Sequence, residues 1–144
     1  MSTPTELLVA LGEKRGDQVA LITGLLGSAN SRDLKDVKVT DEVFDALVAG
    51  LDHPDSRVRW WSVQLLDHVP DPRAIAAIAP LLRDPVPRVR RNAAHALGCV
   101  LCKPAWSGEL PDGTLDELVR IAERDQNAKV RRQARQSLAC RRPT

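Results

Sequence analysis

The sequence predicts an all-α fold, a short α-α superhelix of three to four helix pairs forming one domain over residues 1–144. Three observations carry this. Aromatic residues make up only 3% of the chain, with no tyrosine, whereas sandwiches and small barrels lean on aromatic and β-branched side chains. Leu, Ala and Arg are the commonest residues instead, which suits helices, and hydrophobic residues at 43% suffice for a core. The third observation is a segment that occurs three times without gaps.

The copies are Leu51–Arg59, Leu82–Arg90 and Glu123–Arg131, at offsets of 31 and then 41 residues. Each ends in a basic residue, Val and Arg. The equivalence continues downstream through Ser62, Ala93 and Ala134, and through Leu66, Leu97 and Leu138. The ten extra residues of the second interval fall near 103–113, where Pro104, Gly108, Pro111 and Gly113 mark a loop insertion.

The elements follow in order. Residues 1–39 read as a diverged N-terminal repeat or a cap, with Thr5–Glu13 and Asp17–Gly27 helical and Asn30–Val37 a further short turn of helix. Three repeats then occupy 40–142. Thr40 is placed to N-cap the first helix, whose core side is Phe44, Leu47, Val48 and Leu51. The second helix turns Val58, Ser62, Leu65, Leu66 and Val69 inward. Asp71 then serves as an N-cap with Pro72 at the first helical position, and Ala74, Ile75, Ile78, Leu81 and Leu82 form an apolar stripe. Pro80 is expected to kink this helix near its end. The next helix runs from Pro87 to Leu101 with Val89, Ala93, Ala96, Leu97 and Val100 inward, and Val130, Ala134 and Leu138 repeat that spacing. One helix pair cannot bury its apolar face alone, so stacked pairs must share a core. A compact helical bundle is the alternative architecture, but it does not explain why Arg-Val-Arg recurs at matched positions.

The run Asp84-Pro85, Arg88-Val89-Arg90, Ala93, Ala96-Leu97-Gly98 resembles the HEAT-like repeats of bacterial proteins, including those of phycobilin lyases. The other two copies match in part, with Ser62, Leu65 and Ser137 replacing Ala. The resemblance implies an α-α superhelix that binds proteins, and less often nucleic acid, on a concave face lined by the second helices.

Charge is uneven. Residues 1–85 carry nine Lys/Arg against thirteen Asp/Glu (net −4), and residues 86–144 carry twelve against six (net +6), within a total of +2. Such an asymmetry can orient a partner. The repeated Arg59, Arg90 and Arg131, with Arg57, Arg88 and Lys129, form a basic ladder. Asp52, Asp84 and Asp125 recur just before the second helices, so the ladder is expected to pair internally rather than to grip phosphates. The candidate partner surface lies elsewhere: Trp60 and Gln64, Arg91 and His95, Arg132 and Gln136 occupy equivalent turns off the apolar stripe. Trp and Arg are favoured interface anchors, and two cations beside a Trp suit an acidic segment of a protein. Trp61 is expected to cover the neighbouring repeat instead. Nucleic-acid binding through the basic C-terminal half is the alternative.

Cys99, Cys102 and Cys140 could join a histidine as a Cys3His metal set, but equivalent positions on packed helices lie about 8–10 Å apart, wide for shared ligands unless Cys102 bends toward Cys140. The expectation is therefore no cofactor and reduced thiols. Gly-rich phosphate loops, GxSxG, HExxH and calcium-loop motifs are all missing, so the chain is expected not to be an enzyme. Glycosylase-like or bilin-lyase-like activity rests on fold analogy alone; Trp60 and Asp67 do not by themselves make a glycosylase channel. No run reaches the ~18 apolar residues of a membrane span, and the N-terminus lacks the cationic start of a signal peptide, so a cytoplasmic location is expected.

Overall fold

A computed structural model describes residues 2–27, 39–69, 71–102 and 110–139, with 99–102 described by their backbone. Among these residues every regular element is helical: α1 (Pro4–Gly12), α2 (Gln18–Leu26), α3 (Asp41–Gly50), α4 (Ser56–Leu66), α5 (Pro72–Ile78), α6 (Pro87–Cys102), α7 (Thr114–Arg124) and α8 (Ala128–Ala139), with a 3₁₀ turn over Ala79–Arg83. The expected short turn at Asn30–Val37 and most of the insertion lie outside the described residues; of the insertion's end, Asp112 and Gly113 form a turn leading into α7.

Several of the helix starts are set by short polar side chains. Thr3 accepts the Glu6 N–H while Glu6 accepts the Thr3 N–H in a capping box. Asp17 accepts from Ala20, Thr40 from Val43, Asp55 from Arg57 and Asp71 from Arg73. Each such cap stabilises its helix by about 1 kcal/mol. In α8 the same work falls to Asn127, whose Oδ1 accepts from both Lys129 and Val130. Asp55 and Asp71 also take the guanidinium of the arginine two residues on, and that hydrogen bond, first among the causes, holds both carboxyls below their ordinary range.

The chain forms two compact units, Met1–Val69 and Pro70–Thr144. In the N-terminal unit α1 packs on α2, α3 and α4, and α3 packs on α4. Its core holds Leu8, Leu11, Leu25, Leu26, Phe44, Leu47, Val58, Leu65 and Leu66, all buried. Gly50 lets α3 approach its neighbours: a Cβ there would come within 2.6 Å of Leu8 and collide with the Ser62 hydroxyl. Ser62 is the small residue of the repeat; it is buried and donates to the Val58 carbonyl.

In the C-terminal unit α6 packs on α5, on the 3₁₀ turn and on α8, and α7 packs on α8. Ala74, Ile75, Ile78, Leu81, Leu82, Val89, Ala93, Ala96, Leu97, Val130 and Ala134 are buried, as the apolar spacing predicts, and Leu118 and Ile121 of α7 are buried with them. Burying each of the larger side chains contributes about 1.5–3 kcal/mol. Two details differ from the sequence reading. Pro80 does not kink a continuous helix: α5 ends at Ile78, and Pro80 sits in the first turn of the 3₁₀ segment. Proline has no N–H for an i−4 carbonyl, so the chain tightens instead of bending. Leu138 is only half-buried, unlike Leu66 and Leu97, and α8 exposes Arg135 where α4 and α6 bury Val63 and Ala94.

Candidate functional site

The repeated arginines turn inward on the backbone. Arg59 Nη1 donates to the carbonyls of His53 and Pro54 at 2.9 and 3.1 Å. Arg90 Nη1 donates to those of Asp84 and Pro85 at 2.9 and 3.3 Å, and Arg131 Nη1 to that of Asp125 at 2.6 Å. Each arginine thus ties the first turns of its helix to the turn before it. Arg90 also forks onto the Asp125 carboxylate through Nε (2.9 Å) and Nη2 (3.0 Å), with the two side chains only 15% and 6% exposed. Burial pushes the Asp125 carboxyl up, but the Arg90 fork and the Asn127 N–H outweigh it and hold the group below its ordinary range.

Asp52 does not take part in this pattern as the sequence reading expected. It is exposed, and the matched position belongs to His53. Asp84 Oδ1 accepts the N–H of Val86 and Asp125 Oδ1 that of Asn127, each two residues on; His53 Nδ1 accepts the N–H of Asp55 in the same way at 3.0 Å. An imidazole nitrogen replaces a carboxylate oxygen, and the turn survives a change of residue type.

The candidate partner residues occupy the far side of the second helices. Arg91 lies two residues, about 200°, round α6 from the buried Val89, and His95 lies one turn further. Both are exposed, as are Arg132 and Gln136 at the equivalent turns of α8. The two helices meet closely because α6 has glycine at the crossing: a Cβ on Gly98 would lie 2.7 Å from Ser137 Cβ and 3.0 Å from Ser137 Cα. The Ser137 hydroxyl donates to the Ala94 carbonyl at 2.7 Å, fixing the pair. The C-terminal unit therefore presents Arg91, His95, Arg132 and Gln136 on two directly packed helices.

In the N-terminal unit Trp60 and Gln64 hold the same turns of α4, and both are half-buried rather than fully turned out. Trp60 meets Trp61 edge to face, with ring centroids 4.9 Å apart and planes at 90°. Trp61 is likewise half-buried.

Sequence reasoning missed a second cluster. Arg83 donates through Nε and Nη2 to the two oxygens of Glu117 at 3.0 and 3.1 Å, and Arg120 bonds the same carboxylate. Those bonds, that of Arg120 first and that of Arg83 after it, hold Glu117 below its ordinary range despite its partial burial. Arg83, Arg90, Arg120 and Arg124 line an open groove of about 660 Å³ between the turns at Asp84 and Asp125. The available signal was the repeated Arg-Asp pair: Arg83-Asp84 and Arg124-Asp125 hold matched positions.

A sequence profile described as HEAT repeats matches residues 44–139, well over half of the 144-residue chain. The chain belongs to the HEAT-repeat family. With its all-helical elements, that makes the fold class an α-α solenoid. This HEAT-repeat protein is similar to an engineered protein whose crystal structure came from a structural-genomics consortium: TM-score 0.62, 21% identity, covering 97% of this chain and 62% of the other. The chain thus spans less than two thirds of that protein's length. A second engineered protein from the same source gives a TM-score of 0.49 at 18% identity, covering 95% of this chain and 71% of that one. No curated protein matches the sequence.

Among the described residues of this HEAT-repeat protein, no group of three or more His, Cys, Asp or Glu is placed to hold a metal ion. The cysteine set cannot be placed: Cys140 lies outside the described residues, and Cys99 and Cys102 are described by their backbone at the end of α6. Also among the described residues, no helix is long and apolar enough to cross a membrane.

Proposed function

We propose that this HEAT-repeat protein is a non-enzymatic protein-binding or scaffold module of the cytoplasm, using the outward turns of its second helices. One observation carries the reading. Arg91 and His95 on α6, and Arg132 and Gln136 on α8, stand exposed on two helices packed directly together, where the core has no use for them. Two cations with adjacent hydrogen-bonding groups suit an acidic segment of a partner protein. In the N-terminal unit, Trp60 and Gln64 on α4 would supply an amphipathic anchor of their own. The cytoplasmic assignment fits an odd count of three cysteines.

Nucleic-acid binding by the basic C-terminal half is the second reading. Part of its charge is engaged internally: Arg90 forks onto Asp125, and Arg120 bonds Glu117. Affinity capture from native cell extract separates the two. A protein partner should be retained after nuclease treatment and through moderate salt, and should be lost with Arg91→Ala/Arg132→Ala. Release by nuclease, with a steep fall of affinity against salt, would favour nucleic acid. Trp60→Ala, assayed separately, tests the N-terminal anchor.

A further inference from the structure

The groove between the two turns of the C-terminal unit has a chemistry that folding alone does not account for. The Asp125 carboxylate of the groove and the Glu117 carboxylate beside it lie deep, whereas the guanidiniums of Arg83 and Arg120 lie shallow. The side chains of Asp125 and Glu117 are 6% and 13% exposed, whereas those of Arg120 and Arg83 are 47% and 74% exposed. An approaching ion therefore meets positive charge first. Arg83 uses two of its five N–H donors on Glu117. Arg120 leans on the same carboxylate, so one anion serves two cations. Arg124, exposed and four residues after Arg120, adds a third cation on the same face of α7. Like charges at this spacing disfavour the helix, and a bound anion relieves the repulsion.

We propose that this groove is a binding site for a small tetrahedral oxyanion, a free phosphate or the phosphate of a small monoester, held by Arg83, Arg120 and Arg124. The three guanidiniums offer paired N–H donors that match phosphate oxygens two at a time. Arg90 forms the floor: its fork onto Asp125 and its bonds to the Asp84 and Pro85 carbonyls keep it in place, so it shapes the groove without having to move. The groove, at about 660 Å³, has room for a monoester as well as for the bare ion. The site is separate from the turns carrying Arg91 and Arg132, and it stands whether or not those bind a protein.

The test is a titration of the intact chain with inorganic phosphate, and in a parallel arm with glycerol phosphate, at constant ionic strength maintained with chloride. The readout is the NMR shift of the arginine side-chain N–H groups, together with the melting temperature. The expected result is saturable shifts at Arg83, Arg120 and Arg124 in the low millimolar range or below, with a rise in melting temperature. Saturation by both ligands assigns a monoester site; saturation by inorganic phosphate alone assigns a free-phosphate site. Arg124→Gln, at an exposed position, should fold as the parent does and bind about tenfold more weakly or worse. Arg132→Gln should bind as the parent does. Shifts that rise linearly without saturation, or saturation unchanged by Arg124→Gln, would overturn the proposal.

Discussion

Asp125→Asn should destabilise the protein by about 3 kcal/mol, because it removes the charge from a nearly closed ion pair while keeping its shape. The carboxylate receives two N–H groups of Arg90 and the N–H of Asn127. The amide oxygen of asparagine can still serve Asn127, but one of the two Arg90 donors would face an NH₂ group. Arg90, at 15% exposure, then keeps its charge with little water to replace the lost partner. Hydrogen bonds to charged groups are worth about 1.5–3 kcal/mol each, and breaking one member of a buried pair costs about 3–5 kcal/mol. The residual exposure of Arg90 places this case at the lower end. Urea unfolding followed by circular dichroism should show a lower midpoint at an unchanged slope. The pH dependence gives the sign independently. The folded Asp125 carboxyl lies below its unfolded value of about 3.9, so its contribution is complete above that value and fades as pH falls through the folded pKa. The gap between wild type and variant should therefore close in acid. Replacing both partners, as Arg90→Leu/Asp125→Leu, should cost less than the sum of the single leucine variants. A loss under about 0.5 kcal/mol for Asp125→Asn, the scale of an ordinary surface change, would show that Arg90 does not depend on the Asp125 charge.

Two further variants probe the packing. Val89→Asp should abolish the cooperative transition, because a fully buried position would hold a charge without a partner; a retained transition in circular dichroism would mean that the helix phase is wrong. Gly98→Ala should lower the melting temperature despite alanine's better helix propensity, since its Cβ would press on Ser137 of α8; stabilisation would show that α6 and α8 do not meet as closely as described.

Much of the fold is written in the second-helix spacing. Val58, Val89 and Val130 are all buried because a helical period and a repeat offset both point them inward. What escaped the sequence did so for physical reasons. Matching residues by type paired Asp52 with Asp84 and Asp125, but the turn needs an acceptor at a fixed place, and His53 Nδ1 fills it. Trp60 meets Trp61 edge to face, a side-chain arrangement that no spacing encodes. The groove arginines escaped because tertiary packing joins them: Arg83 reaches Glu117 across 34 residues. The internal engagement of Arg90 was legible, since the acid it pairs with recurs along with it.

The proposed partner surface on the outward turns of α6 and α8 would act through the cations Arg91 and Arg132. Its most direct test is the affinity of the captured, purified partner for wild type and for Arg91→Ala/Arg132→Ala, measured by titration calorimetry on proteins with matching unfolding curves. A loss of about 2 kcal/mol or more, roughly 30-fold in affinity, is expected. Equal affinity for the two proteins would contradict it.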